Sequence, residues 1–78
     1  MIQALLTDLD GVIRLWDGQP EPQIFLAALA ALRARPATTL YIDDSHGHVQ
    51  AAAELGIISH VHTDYRDTEQ FLARYGLL

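Results

Sequence analysis

Two pairs of carboxylates stand where apolar runs end: Asp8 and Asp10 in "LLTDLDGVI", and Asp43 and Asp44 in "TLYIDDS". Four acids gathered at one rim would repel one another unless a cation sat among them. Oxygen-only donors, with neither Cys nor His at ligand spacing, suit a hard divalent cation, of which magnesium is the usual one. Neighbouring acids can also divide labour, one neutralised by metal while the other holds a proton. A single such acid reads best as a loop residue or helix cap, and Asp44 or Ser45 is placed to cap the helix that follows. Two pairs at neighbouring strand ends favour the chemical reading.

The flanking pattern says how those ends would be brought together. The apolar run over 2–9 reads as a buried strand ending at Asp8, although periodicity alone would also allow buried helix. "DGVIRLWDGQPEP", with Gly11, Gly18, Pro20 and Pro22, reads as loop. Residues 23–35 read as a helix, because Phe25, Leu29 and Leu32 recur at helical spacing among alanines. Pro36 is expected to end it. "TTLYIDD" reads as a second buried strand, 47–56 as a short helix stopped by Gly56, and "IISHVH" as a third strand. Asp67 and Gln70 resemble a capping box opening a last helix that turns Phe71, Leu72 and Tyr75 inward. The order βαβαβα predicts an α/β fold with a parallel sheet and right-handed crossovers. In such sheets ligands bind outside the carboxyl ends of the strands, where both acid pairs fall.

Composition narrows the rest. A chain of 78 residues is expected to form a single domain, 1–78, with a thin margin of stability. With no cysteine, disulfides and thiolate metal sites are excluded. The net charge of −5, with five dispersed arginines and no lysine, argues against a nucleic-acid surface. No run has the length or apolarity of a membrane span, and the N-terminus lacks the order of a signal peptide, so a cytoplasmic location is expected.

The motifs carry a resemblance. "DLDGVI" is similar to the first motif of the haloacid dehalogenase-like (HAD) hydrolases, and "TLYIDDSHGHVQAAAELGI" resembles their fourth. "PEPQIFLAALAALRARPATTLYIDDS" looks like the segment joining the third and fourth motifs in the phosphoglycolate phosphatase-like subfamily. The resemblance implies a Rossmann-like, three-layer α/β/α core, here reduced to a three-stranded parallel sheet in the order 3-2-1. It implies that Asp8 is the nucleophile of an aspartyl-phosphate mechanism and Asp10 the general acid and base. Mg2+ would be held by Asp8, Asp10, Asp43 and Asp44, and the substrate would be a small phosphorylated metabolite.

The chain also departs from the family. Gln19 stands where the third-motif lysine belongs, and the second motif's Ser/Thr is missing, because Thr63 follows the wrong strand. Arg14 reads as a solvated loop residue rather than a substitute for that lysine. His48 stands where the family has Asn or Asp, and either bonds a site carboxylate or caps the helix. His60 and His62 share one face of the last strand, which reads as a partly exposed face rather than a metal site; His46 reads as a loop residue. The cap domain is absent as well, with "RLWDGQPEP" bridging its place and Trp16 packing on the core. The expectation is a weakened magnesium-dependent phosphomonoesterase; the alternative is a non-catalytic remnant that binds metal or phosphate or serves association. A receiver-like phosphoacceptor ranks last, since receivers place their lysine after a later strand. The first strand, left at the sheet edge and almost uncharged, predicts a homodimer or higher homo-oligomer.

Overall fold

A computed structural model of the chain describes residues 1–7 and 21–78. Asp8, Asp10, Arg14, Trp16 and Gln19, with the loop reading given to that stretch, lie outside the described residues. The elements in order are β1 (Ala4–Thr7), α1 (Glu21–Leu32), a single 3-10 turn (Pro36–Thr38), β2 (Thr39–Asp43), α2 (His46–Glu54), β3 (Ile58–Val61) and α3 (Tyr65–Arg74).

The fold is α/β: three parallel strands lie in the order β1-β2-β3, with β2 central. The register pairs Leu6 with Tyr41 and Thr7 with Ile42, and on the other side Ile42 with His60 and Asp43 with Val61. β2 is buried along its whole length because it is covered on both faces, which is why it reads as a continuous apolar run rather than an alternating one. Alternate residues of β2 feed two clusters. Tyr41 joins Ile24, Phe25 and Leu29 of α1, Val49 and Ala52 of α2, and Ile57. Leu40 and Ile42 face Phe71 and Leu72 of α3. Two successive crossovers stepping the same way across a sheet with the same hand deliver their helices to the same face, so α1 and α2 share one side and α3 takes the other.

Helix ends are where local signals and outcome differ. α1 stops at Leu32, before Pro36, because Arg33 turns into the left-handed region at φ 52°. The Arg33 N–H then donates to the Ala30 carbonyl and the Ala34 N–H to that of Leu29. These bonds satisfy two carbonyls that the helix leaves open at its end. α2 and α3 close in the same way at Gly56 and Gly76, at φ 88° and 78°. Arginine at this position carries a Cβ penalty that glycine avoids, of about 1–2 kcal/mol, partly offset by the extra backbone entropy glycine loses. Arg33→Gly is therefore expected to stabilise the fold by about 0.5 kcal/mol and raise Tm by about 2–4 °C, measurable by thermal denaturation.

At the start of α3 the cap is Asp64, whose Oδ1 accepts from the Asp67 N–H at 2.8 Å. The Asp67–Gln70 pair is thus already inside the helix, which opens at Tyr65. The connection from β3 is short, and Asp64 is the first strong capping residue the chain meets after the strand. Among the described residues no helix is long and apolar enough to cross a membrane.

Candidate functional site at the carboxyl edge of the sheet

The carboxyl ends of all three strands open into one cavity of about 190 Å3, lined by Thr7, Ile42, Asp43, Asp44 and His62. Its volume lies below the ~300–1,000 Å3 of sites for drug-sized ligands, so it suits a small group. Thr7 ends β1 and Asp43 ends β2, while the His62 N–H donates to the Asp43 carbonyl at 2.8 Å just past β3. The parallel register is what gathers these residues, since parallel strands place all their carboxyl ends on one side.

Asp43 is the best-held side chain of the site, only 3% exposed. Its Oδ2 accepts from the Tyr41 hydroxyl and lies 3.2 Å from His48 Nδ1; its Oδ1 accepts from the Ser45 N–H at 3.1 Å. Period two along β2 puts Tyr41 on the same face as Asp43, and the first turn of α2 carries His48 back toward it. Ser45 caps α2, its hydroxyl accepting from the His48 N–H at 3.4 Å. Burial pushes the Asp43 carboxyl up, but the Tyr41 hydroxyl, the Ser45 N–H, and the contacts with Asp44 and His48 outweigh it. The group therefore titrates below the ordinary aspartate value.

Asp44, in contrast, is exposed at the cavity mouth. The structure thus brings Asp43 and Asp44 together with Thr7 and His62; Asp8 and Asp10 lie outside the described residues, and Asp8 directly follows Thr7 in the chain. Among the described residues, Tyr41, Ser45 and His48 each direct a donor at the Asp43 carboxylate. The oxygen chemistry of the Asp43–Asp44 pair fits a hard cation, but as half a ligand set: among the described residues no group of three or more His, Cys, Asp or Glu is placed to hold a metal.

Two lining residues escaped the sequence reading. Thr7 carried a weak signal, a hydroxyl immediately before the first acid of a strand-end pair. His62, read as lying on a partly exposed face, is indeed half-buried; what that reading lacked is its place in the cavity lining. Its Nδ1 lies 2.6 Å from Thr68 Oγ1, and its ring packs edge-on to Tyr65. His60 is half-buried as well, stacked on Phe71 at 4.4 Å. Its Nε2 is 3.1 Å from Asp67 Oδ2, within ion-pair range yet not aligned as a hydrogen bond. Both rings serve to dock α3 on β3. His48 bonds the Asp43 carboxylate, the first of the two roles open to it, while Ser45 takes the cap.

Compared with protein-family models and with curated proteins, the sequence matches none.

Proposed function

We propose that the chain is a reduced HAD-like core, a three-layer α/β/α Rossmann-like unit that hydrolyses small phosphomonoesters slowly with the help of Mg2+. The observation that carries this reading is the cavity where three parallel strand ends converge on Asp43 and Asp44, with Thr7 leading into Asp8. The separate clusters on the two faces of the sheet support the three-layer arrangement. The Asp8 carboxylate, the Asp10 backbone carbonyl and the Asp43–Asp44 pair would hold the cation, which offsets the repulsion between a carboxylate nucleophile and an anionic phosphate. Asp8 attacks phosphorus, the leaving alkoxide takes its proton from Asp10, and water activated by Asp10 then hydrolyses the aspartyl phosphate. Tyr41, Ser45 and His48 keep Asp43 ionised and fixed. The absence of cysteine is in keeping with a cytoplasmic setting.

Of the described cavity-lining side chains, His62 alone can carry positive charge, and the chain has no lysine. Losing one cationic or hydrogen-bonding partner of the transition state costs about 10²–10³ in rate, so slow turnover is expected. Phosphate release from an aryl phosphate is expected to require Mg2+, to vanish in Asp8→Asn, and to fall at least about tenfold in Asp44→Asn. Release equal to that of Asp8→Asn would overturn the reading. One observation favours a second reading, a non-catalytic module: Asp43 spends most of its acceptor capacity on the protein itself. Mg2+ binding without any turnover would identify that module.

A further inference from the structure

β1 lies at an edge of the sheet, and among the described residues only β2 pairs with it. Just ahead of β1, the Gln3 N–H donates to the Thr38 carbonyl. In a parallel strand a residue turns both its backbone groups to one side and the next residue turns both to the other. The His62 N–H donates to the Asp43 carbonyl in the ladder between β2 and β3, so Asp43 and Tyr41 address β3 while Leu40 and Ile42 address β1. With Leu5 registered against Leu40, Ala4 and Leu6 bond to β2, and Leu5 points its N–H and C=O groups outward. Beside this edge, on the face covered by α3, an apolar groove of about 450 Å3 is lined by Ile2, Leu5, Leu72 and Leu77, among others. Leu5 remains 46% exposed there, and no lining side chain is charged.

We propose that the occupant of this edge is a second copy of the chain, paired antiparallel through β1 about a twofold axis at Leu5. A twofold perpendicular to the sheet keeps each face continuous, so residues of the same parity must lie opposite one another. Leu5 then meets Leu5 of the second copy as a hydrogen-bonded pair, with the two side chains on the same face. The two Leu5 residues exchange both of their backbone hydrogen bonds, and the two sheets become one of six strands. This register uses the whole run Gln3–Thr7.

Charge decides for a second copy in this orientation. Gln3 falls opposite Thr7 of the second copy. The Gln3 side chain accepts from the Arg35 N–H at 3.5 Å, which places exposed Arg35 at the amino end of β1. Thr7 shares its cavity with exposed Asp44. Antiparallel pairing thus sets the end of each copy that carries Arg35 beside the acidic end of the other, whereas a parallel arrangement would stack like on like. A neutral strand and groove let two chains of charge −5 approach at this edge.

Sedimentation at micromolar concentration is expected to give twice the chain mass of 8.7 kDa. Leu5→Lys puts two ammonium groups face to face at the axis and removes an apolar contact from each copy, and is expected to weaken association about 100-fold or more. Leu5 is half exposed, so the variant should keep its circular dichroism spectrum. Arg35→Glu is expected to weaken association by about tenfold, with the difference shrinking at high salt. In the wild type the Leu5 amide is expected to be protected from hydrogen exchange when concentrated and to lose that protection on dilution. A wild-type species of the single-chain mass would overturn the proposal. So would a Leu5→Lys chain that still dimerises, or protection of the Leu5 amide in a monomer, which would place another segment of the chain on this edge.

Discussion

Phe25→Ala is expected to cost about 3–5 kcal/mol, the usual range for truncating a buried phenylalanine. A fold of 78 residues commands only about 4–12 kcal/mol in total, so this loss removes a large share of its stability. Phe25 is 1% exposed and meets the fully buried Tyr41 ring edge-on, with centroids 4.9 Å apart. It ties α1 to the central strand, so the cavity would open between helix and sheet where relaxation is least able to fill it. Leu26, the next residue, is 50% exposed, and Leu26→Ala should cost less than about 1 kcal/mol. Urea denaturation of both variants measures the difference. A loss below about 1 kcal/mol for Phe25→Ala would mean that α1 does not anchor the core in this way.

Asp43→Asn is expected to lower stability by about 2–4 kcal/mol, while Asp44→Asn stays within about 0.5 kcal/mol of the wild type. Three donors converge on the Asp43 carboxylate, from Tyr41, Ser45 and His48. An amide offers one acceptor oxygen and turns an NH2 toward a donor at its other end, leaving a buried group unsatisfied. The same bonds give a signature in pH. Because the folded pKa of Asp43 is depressed, its contribution is fully present above the ordinary value of 3.8 and is lost as pH falls through the lower folded value. Acid unfolding followed by circular dichroism should therefore lose that part of its slope in Asp43→Asn. Tyr41→Phe removes one stabilising donor and should move the acid midpoint to higher pH. Equal stabilities for Asp43→Asn and Asp44→Asn would remove the structural role assigned to Asp43.

These two residues also mark different depths of the fold. Phe25 was legible as an inward position from helical spacing alone, because a period of 3.6 is a property of one element. The partner it meets, Tyr41, could only be assigned to a buried run. Asp43 and Asp44 were legible as a pair at a strand end but not as different groups, since both have the same chemistry. The difference arises when the amino end of α2 folds back and presents Ser45 and His48 to one carboxylate.

Local signals competed wherever two residues of similar character lay close together. Asp64 and Asp67 can each open a helix, and Pro36 marks a boundary that Arg33 reaches first by turning left-handed. His60 and His62 look alike on a strand pattern, yet their environments are set by α3, which packs across them from later in the chain.

By itself, then, the sequence determined the alternation of strands and helices, the parallel sense of the sheet and the carboxyl-edge position of the second acid pair. Each of these follows from spacing within one element or from the order of neighbouring elements. Tertiary structure alone decided which acid is buried and held, that Thr7 and His62 share its cavity, and which backbone groups of β1 face outward. Those depend on register and on which face each helix covers, properties that exist only once segments distant in the chain are packed together.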